Sequence, residues 1–321
     1  MLTKERIKDL EKQGYRIVGN HSAIKVCLWT KKCIRGEDVC YKNTFYGINT
    51  HKCVQMTPAL PFCNQRCMWC WRDIAWTLPK WKGKIDTPKE IVDGCVKAHI
   101  KYIQGFGGTE KRDENNYQEA QKPLHFALSL SGEPTLYPQL PELIQEIHKQ
   151  GMTSFLVTNG TNPEVVQKLL EGDKEQNQST EPTQLYVTLP APDKETYNKV
   201  CNPSEKENWE KILQTLELVP KFKRNVFRLT LAKDVNMIKP EGYAELINKY
   251  QPMYVECKGY VWVGYSRQRL DIENMPRHNE IIEFSNKLTE LCPGYKIIDQ
   301  KENSRVTLLA KEDSDDRVMK F

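Results

Sequence analysis

Three cysteines lie close enough along the chain to act together on one metal centre. Cys63, Cys67 and Cys70 are spaced C-x3-C-x2-C, within eight residues of a 321-residue sequence. Their thiolates can bind one face of a metal centre but supply no fourth ligand. A tetrahedral zinc ion would need a histidine or a distant cysteine to complete its coordination, whereas a cubane 4Fe–4S cluster would keep one iron open to an outside ligand. The spacing favours the cluster, with zinc or simple burial of small thiols as alternatives.

A second set of cysteines precedes the first and has a looser rhythm. Cys27, Cys40 and Cys53 are separated by twelve residues each time, and Cys33 falls outside this spacing. The spacing alone leaves a second metal site, chance and ordinary burial all open. The sequence shows no export signal, so we expect a cytoplasmic protein whose thiols stay reduced and free to bind metal. The isolated cysteines are predicted to be mostly structural.

Charge and aromatic residues are concentrated in the same part of the chain. The net charge is only +5, too mild to imply a nucleic-acid partner by itself. Residues 21–84, however, hold eleven Lys and Arg against three acidic residues, a local charge of +8, with five of the seven tryptophans and seven of the eleven cysteines. We therefore expect this segment to carry the function. No apolar run approaches the roughly 18 residues that a membrane span needs, so no membrane partner is expected.

The elements that must position these residues alternate in type along the chain. Short runs that are apolar on both faces predict strands of a parallel sheet, and amphipathic stretches predict the helices that cover it. The predicted strands are Cys53–Thr57, His125–Ser129, Ser154–Thr158, Leu185–Leu189, Val226–Leu231, Tyr254–Lys258 and Val306–Leu309. The predicted helices are Pro88–Ile103, Leu140–Gln150, Pro163–Leu170, Lys194–Val200, Asn208–Leu218, Glu241–Lys249 and Asn279–Leu288. Repeated βα units indicate a parallel α/β fold, either open or closed into a barrel.

Two polar stretches interrupt this alternation. Thr109–Lys122 and Glu171–Gln184 are rich in Glu, Lys, Gln and Asn and have no periodic apolar face. Both are therefore predicted to be exposed loops.

The order of the motifs along the βα array is informative. The Cys63–Cys70 loop follows the strand Cys53–Thr57, and Ser131-Gly-Glu-Pro134 follows the next strand. Taken alone, the second motif is merely a turn before a helix. Together and in this order, the two resemble the radical S-adenosylmethionine (SAM) superfamily.

That resemblance implies a set of roles. The three cysteines would hold a 4Fe–4S cluster whose open iron chelates the amino and carboxylate groups of SAM, and electron transfer would cleave SAM to methionine and a 5′-deoxyadenosyl radical. Trp69 would contact the adenine, and Asn159 would lie near the ribose. The segment that binds the methionine amino group would comprise Ser131, Gly132 and Glu133.

Further motifs narrow the resemblance. They are His21-Ser-Ala-Ile-Lys-Val-Cys27, Cys40-Tyr-Lys-Asn-Thr-Phe-Tyr-Gly-Ile48, His51-Lys-Cys53, Cys70-Trp-Arg72, Ser131-Gly-Glu-Pro-Thr-Leu-Tyr-Pro138 and Val263-Gly-Tyr-Ser-Arg-Gln-Arg269. Over nearly the whole chain they are similar to the archaeal-type tRNA 4-demethylwyosine synthases. This resemblance implies a second 4Fe–4S cluster on Cys27, Cys40 and Cys53. Eukaryotic members add a flavodoxin-like domain that this sequence lacks, so an external one-electron reductant is expected.

The family resemblance also implies a reaction. The substrate would be N1-methylguanosine at the 3′ neighbour of the anticodon in phenylalanine tRNA. The radical would abstract a hydrogen atom from the N-methyl group, and the resulting carbon radical would add to pyruvate. Carbons 2 and 3 of pyruvate would close the third ring, which makes the enzyme a carbon–carbon lyase or synthase. The second cluster would chelate the keto acid through its carboxylate and ketone oxygens.

A lysine that forms a Schiff base is the usual way to activate a keto acid. Lys258 is the first candidate, because it ends a predicted strand where a side chain faces the mouth of a barrel. Lys42 and Lys25 lie next to the second set of cysteines and are its rivals, although a solvated or tRNA-facing charge is the simpler interpretation of Lys42. Arg228 is a weaker candidate for binding a substrate or cofactor carboxylate.

The basic, tryptophan-rich segment is predicted to contact tRNA. Its cations can follow phosphates in a salt-sensitive way, and they are Lys31, Lys32, Arg35, Arg72, Lys80, Lys82 and Lys84. Its tryptophan rings can stack on anticodon-loop bases or pack around the metal centres. Both interpretations stay open for Trp71 and Trp76.

The sequence thus predicts an α/β protein, a partial TIM-type βα barrel of the radical SAM class. Residues 1–50 are expected to form an N-terminal extension that carries the second-cluster cysteines, and residues 51–321 the barrel core with a C-terminal extension. The alternatives are another two-cluster radical SAM enzyme, such as a protein maturase, and a non-catalytic zinc-stabilised RNA-binding protein.

Overall fold

The computed structural model describes residues 2–173 and 178–321, and its strands form one mixed sheet. In chain order they are β1 (Arg16–Val18), β2 (Ser22–Ile24), β3 (Cys53–Thr57), β4 (His125–Leu128), β5 (Thr153–Thr158), β6 (Gln184–Thr188), β7 (Asn225–Leu231), β8 (Tyr254–Gly259), β9 (Lys296–Lys301) and β10 (Val306–Ala310). The spatial order follows the chain except that β10 lies between β8 and β9. Strands β3 to β8 are parallel, and antiparallel strands flank them at both edges.

Helices connect and cover these strands. They are α1 (Lys4–Lys12), α2 (Leu28–Ile34), α3 (Tyr41–Tyr46), α4 (Pro88–Gln104), α5 (Glu114–Ala120), α6 (Leu140–Lys149), α7 (Pro163–Glu171), α8 (Lys194–Cys201), α9 (Asn208–Leu218), α10 (Pro240–Tyr250) and α11 (His278–Leu291). Local sequence sets several of the helix starts: α4 begins with a capping box between Thr87 and Glu90, followed by Pro88 in its first turn. None of the described helices combines the length and apolar character that a membrane span requires.

The predicted α/β architecture is confirmed. Each predicted strand is present with its ends within one residue, and each predicted helix with its ends within three. Six parallel βα units make a partial barrel, which stays open because β1 and β9, the edge strands of the described sheet, do not pair with each other. The division of the chain at residues 50 and 51 stays a prediction.

The prediction that Thr109–Lys122 is entirely loop is wrong, because this stretch contains α5. Asp113 caps the helix by accepting a hydrogen bond from the Asn116 backbone N–H at 2.8 Å. Ala120, at its end, is fully buried in a small cluster with residues of α2 and α4. This polar stretch thus forms a helix because Asp113 caps its first turn and Ala120 is buried at its end. In the other polar stretch, residues 174–177 lie outside the described residues.

The two faces of the sheet pack against different partners. One face meets α4 and α6 to α11 in the largest apolar cluster, to which alternate strand residues such as Leu156 and Phe227 contribute. The other face presents residues such as Phe155 and Tyr186, and α3 from the N-terminal part of the chain packs against them. Because successive strand residues point to opposite faces, each strand serves both clusters. The α3 helix was not predicted from the sequence.

We predict that Phe45→Ala destabilises the chain by about 3–5 kcal/mol, the usual cost of removing a buried phenylalanine ring. Phe45 lies on α3 and is fully buried in this second cluster, so its loss leaves a cavity between the helix and the sheet. Urea unfolding followed by circular dichroism measures the change. Phe321→Ala is the control, because Phe321 is 48% exposed; equal losses for the two variants would contradict the packing of α3 on the sheet.

Candidate active site

The first set of cysteines lies on the loop that follows β3. Cys63, Cys67 and Cys70 all line one cavity of about 200 Å³. Backbone hydrogen bonds hold the loop against the end of α8, from the Arg66 N–H to the Cys201 carbonyl at 2.8 Å and from the Met68 N–H to the Val200 carbonyl at 2.9 Å. The structure therefore brings the three thiols to one cavity on a loop that is fixed by its backbone.

The electrostatics of this loop suit an anionic metal centre. Burial raises the pKa of Cys63 to about 12, and a hydrogen bond with Cys201, together with burial, raises the pKa of Cys67 well above its usual value. The Arg72 guanidinium donates to the Cys70 sulfur at 3.3 Å. Burial would lower the pKa of Arg72, but the neighbouring Cys63 and Cys70 raise it. A buried, permanent cation beside three thiols favours their thiolate forms, which are the forms that ligate iron.

Glu133 joins the ends of two parallel strands at the same cavity. One carboxylate oxygen accepts hydrogen bonds from the Thr158 hydroxyl at 2.6 Å and the Thr135 hydroxyl at 2.8 Å, and the other accepts from the Asn159 N–H at 2.7 Å. Burial raises the pKa of Glu133 despite these bonds. The carboxylate holds the loop after β4 against the end of β5, so it shapes the cavity wall as well as lining it.

Gly132 is where two loops approach most closely. Its φ is +75°, and a Cβ atom there would lie 1.9 Å from the Ala59 carbonyl oxygen and 2.8 Å from the Phe62 carbonyl oxygen. Only glycine fits both the dihedral and the space. Next to it, the Ser131 hydroxyl is buried at the cavity and makes no hydrogen bond of normal geometry with any described residue.

A segment near the C-terminus supports the cysteine loop from the other side. Arg269 donates to the Met68 carbonyl at 3.2 Å and also to the Cys70 carbonyl, and the Tyr265 N–H donates to the Trp71 carbonyl at 3.0 Å. The sequence singled out residues 263–269 as a motif but assigned them no role. No sequence signal could have revealed this contact, because Arg269 and Cys70 are 199 positions apart.

Asn64 is a second residue that the sequence did not single out. Its amide nitrogen donates to the Thr161 hydroxyl at 2.7 Å, and its oxygen accepts from the Asn159 side chain at 2.9 Å. The cysteine loop is thereby tied to the segment after β5. Asn159 and Trp69, both predicted to contact the cofactor, line the cavity and are partly buried.

The structure also brings the second set of cysteines together. Cys27 caps α2 by accepting from the Thr30 N–H at 3.3 Å. The Thr30 hydroxyl donates to the Thr50 carbonyl at 3.1 Å, and the Thr50 hydroxyl accepts from the Cys40 N–H at 3.1 Å. Cys53 follows directly as the first residue of β3. Two threonines thus connect the segments that carry all three cysteines.

Burial and nearby thiols raise the pKa values of two members of the second set. Burial, followed by the effect of the nearby Cys27, raises the pKa of Cys40 to about 11. The same two causes raise the pKa of Cys53 still further, and Cys40 adds to the effect. Lys42 opposes both increases. The three half-buried cysteines therefore lie near one another with a cation beside them, which fits a metal centre that stabilises thiolates.

The three candidate lysines have different surroundings. Burial lowers the pKa of Lys42 and of Lys258 to about 8. The Lys258 ammonium donates to the Ser304 carbonyl at 2.9 Å. Lys42 lies 4.2 Å from the centre of the Tyr186 ring and donates no hydrogen bond to any described residue. Lys25 is elsewhere, 4.6 Å from the centre of the Trp71 ring, so the structure does not bring it to the second set.

Arg228 lies beside Lys42 and is held by a buried ion pair. Its guanidinium contacts the Glu256 carboxylate at 2.8 Å. The Tyr46 and Tyr41 hydroxyls donate to the same carboxylate, at 2.8 Å and 3.1 Å. Arg228 Nη1 donates no hydrogen bond to any described residue, and the guanidinium lies 4.7 Å from the centre of the Tyr186 ring.

Among the described residues, no three His, Cys, Asp or Glu side chains lie close enough to bind one metal ion. A cubane binds each thiolate through a different iron atom, so it places its ligands further apart than a single zinc ion does.

Comparison with known proteins identifies the class. Residues 57–247 match the Radical SAM superfamily, and residues 249–311 match the family described as Wyosine base formation. The partial βα barrel, with a three-cysteine loop after its first parallel strand, is the architecture of that superfamily. The fold and the site therefore define a radical SAM enzyme, which uses SAM and an iron–sulfur cluster.

The chain belongs to the family of SAM-dependent tRNA 4-demethylwyosine synthases, which modify tRNA on the route to wybutosine. A family member from Pyrococcus horikoshii is 47% identical over 320 residues, which cover 98% of this chain and 91% of the relative. A TYW1 member from Mus musculus is 37% identical and covers 96% of this chain, but this chain spans only 42% of that protein. The protein maturase and the non-catalytic RNA-binding protein are therefore excluded.

Two solved structures agree with this assignment. A structure of TYW1 with a lysine–pyruvate adduct bound superimposes with a TM-score of 0.86 at 39% identity, over 97% of both chains. A crystal structure of archaeal TYW1 superimposes with a TM-score of 0.78 at 35% identity, also over 97% of both chains. The fold described above is thus shared over its whole length.

We predict that Gly132→Ala destabilises the chain by at least about 2 kcal/mol more than Gly151→Ala. Both glycines have a positive φ, which costs an alanine about 1–2 kcal/mol, but only Gly132 has backbone atoms where a Cβ would lie. Anaerobic urea unfolding measures the difference. Equal losses would mean that the loop after β4 has room to move away from Ala59, contrary to the geometry described here.

Proposed function

We propose that the enzyme condenses N1-methylguanosine, at the 3′ neighbour of the anticodon of phenylalanine tRNA, with carbons 2 and 3 of pyruvate to form 4-demethylwyosine. The relatives are tRNA 4-demethylwyosine synthases, which supports the product. The TYW1 structure with a lysine–pyruvate adduct supports pyruvate as the co-substrate. The reaction requires a one-electron reductant, which we propose to be an external protein.

The observation that carries this proposal is that the two cysteine sets adjoin one face of the sheet. Val157 on β5 and Thr188 on β6 line the cavity of the first set. Phe155 and Tyr186, two residues earlier on the same strands, contact Lys42 beside the second set. Residues two apart on a strand share a face and are about 7 Å apart. A radical generated at the first set and a keto acid held at the second can therefore meet.

We propose that the first set binds a 4Fe–4S cluster and that the cavity binds SAM. When bound, these two groups supply the electron and the carbon radical that abstracts a hydrogen atom. Ser131 and Gly132 would contact the methionine part of SAM, because both residues line the cavity. Trp69 and Asn159 would contact the nucleoside, and Glu133 would act mainly by fixing the wall on which SAM rests.

We propose that the second set binds a second 4Fe–4S cluster and that Lys42 forms the Schiff base with pyruvate. Lys42 is two residues from Cys40, and its ammonium lies over the Tyr186 ring but donates no hydrogen bond to a described residue. Lys258 donates to the Ser304 carbonyl and would have to release it first. Arg228 Nη1 would bind the pyruvate carboxylate, and Glu256 keeps the guanidinium in position. Lys25 would not take part in this step.

The basic segment would bind the tRNA phosphates. Lys31 and Lys32 lie on α2 near the second set, and Lys32 is 5.4 Å from the centre of the Trp29 ring. Such contacts are independent of base sequence and weaken steeply with salt. They would orient the anticodon stem towards the cavity.

The experiment that tests the function is anaerobic incubation of the reconstituted enzyme with N1-methylguanosine-containing tRNA, pyruvate, SAM and a reductant. Mass spectrometry of the tRNA nucleosides should detect the tricyclic base, and isotope from carbons 2 and 3 of pyruvate should appear in it. The protein should contain about eight iron atoms per chain, four for each cluster. A colourless protein with zinc, or tRNA that stays unmodified, would refute the proposal.

We predict that mutations in the two cysteine sets have different effects on the reaction. Cys63→Ala, Cys67→Ala or Cys70→Ala should abolish reductive cleavage of SAM, because each removes a ligand of the SAM-binding cluster. Cys27→Ala, Cys40→Ala or Cys53→Ala should leave SAM cleavage uncoupled from the substrate and eliminate the tricyclic base. Chromatographic assays of 5′-deoxyadenosine and of the modified nucleoside measure both. Cys95→Ala, at a buried cysteine of α4, is the control, and full product from any variant of the second set would exclude the second cluster.

We predict that borohydride reduction in the presence of labelled pyruvate attaches the label to Lys42. Lys42→Arg should lose the label while keeping the positive charge, because a guanidinium does not form the Schiff base. Lys258→Arg and Lys25→Arg should keep it. Peptide mass spectrometry locates the modified residue. A label on Lys258 would show that the lysine bound to the Ser304 carbonyl reacts, and not Lys42.

A further inference from the structure

A groove outside the cofactor cavity has no role in the reaction described so far. It has a volume of about 660 Å³ and is lined by Trp71 of the cysteine loop, by Lys25 after β2, by Gln13 after α1, and by residues 263–265 and 268. Trp71 also lines the cofactor cavity, so the two spaces share a wall. A ligand in this groove would therefore lie next to the reacting groups.

The two walls of the groove come from different parts of the family architecture. Trp71 lies within the region that matches the Radical SAM superfamily, whereas residues 263–268 lie within the region that matches Wyosine base formation. The backbone joins the walls, since the Tyr265 N–H donates to the Trp71 carbonyl. A wall built by the family-specific region is suited to a family-specific ligand, and the substrate fits that description better than SAM does.

The chemistry of the groove is that of a nucleobase site. Trp71 and Tyr265 provide aromatic surface, and neither they nor the other lining residues include a carboxylate. The side chains of Gln13, Gln268 and Tyr265 make no hydrogen bond with any described residue, so their donors and acceptors are free to contact a base edge. Lys25 holds a positive charge over Trp71, 4.6 Å from its ring centre. Single-stranded nucleic acid is bound in this way, with bases stacked on rings beside a cation.

We propose that this groove binds the base of an anticodon-loop nucleotide adjacent to the guanosine that is modified. The base stacks on Tyr265 beside Trp71 and Lys25, and Gln13 and Gln268 contact its edge. Binding this adjacent base removes it from the stacked bases of the anticodon loop. The target base is then free to enter the cofactor cavity on the other side of Trp71. The inference rests on the proposed function for the position of the target, but the groove itself is tested by RNA binding alone.

The test uses the anaerobically reconstituted enzyme and an anticodon stem-loop RNA with 2-aminopurine in place of a purine next to the target. Stacking in the groove should quench the fluorescence of 2-aminopurine in the wild-type complex. Tyr265→Ala should remove the quenching and weaken RNA binding about tenfold, the size of one base–aromatic contact. Tyr265→Phe should restore both, because it keeps the ring, and Gln268→Ala should weaken binding without removing the quenching.

Controls separate the groove from the fold and from the reaction. Gln167→Ala, at a glutamine on the outer helix α7, should bind RNA as the wild type does. Each variant must carry the wild-type amount of iron, which shows that its cysteine loop is intact. RNA bound by Tyr265→Ala with wild-type affinity and quenching would overturn the proposal. The proposal would also be overturned if Tyr265→Ala bound RNA normally but was reduced more slowly by the electron-donor protein, since the groove would then bind that protein.

The proposed function can fail independently. If the wild-type enzyme binds the RNA and quenches its 2-aminopurine fluorescence but forms no tricyclic base, the proposed reaction is wrong and the proposed base-binding groove is supported. If it forms the tricyclic base without quenching 2-aminopurine at either neighbour of the target, the proposed reaction is supported and the proposed base-binding groove is wrong.

Discussion

A carboxylate that is sealed from water needs hydrogen-bond donors from the protein itself. Glu256 is fully buried, and its donors are Arg228, Tyr41 and Tyr46. Two of these three residues lie on α3, which directly follows Cys40 and carries Lys42. This carboxylate therefore fixes α3 on the sheet by directional bonds, alongside the apolar packing of Phe45. The positions of Cys40, Lys42 and the Arg228 guanidinium follow from that attachment.

The first set of cysteines depends on a similar arrangement at the other end of the strands. Glu133 collects donors from Thr135, Thr158 and Asn159, and in doing so joins segments that follow two different strands. Apolar packing holds the strands side by side but is non-directional. The directional bonds to Glu133 position the segments after β4 and β5, and those to Glu256 position α3 on the sheet.

The parallel strands were predictable because both of their faces are buried. Val226–Leu231, for example, is apolar almost throughout, and the structure extends it by a single residue. The first cysteine set was predictable because its members are close along the chain. The helix α3 was not, since it has six residues, no side-chain cap and no long apolar period, and it is stable only against the sheet. The sequence ranked Lys258 above Lys42 because Lys258 ends a strand, and this ranking stays a prediction; the hydrogen bond from Lys258 to the Ser304 carbonyl could not be read from the sequence.

The contact between Arg269 and the cysteine loop has a consequence for the order of assembly. Cys70 and Arg269 are separated by 199 positions, so a ribosome adds nearly two hundred residues after the third cysteine before this support exists. During that time the three thiols are on a loop that lacks one of its walls and lies open to oxygen and to competing metals. The cysteine loop therefore reaches its supported form only after the region beyond residue 249 has been synthesised and has folded against it.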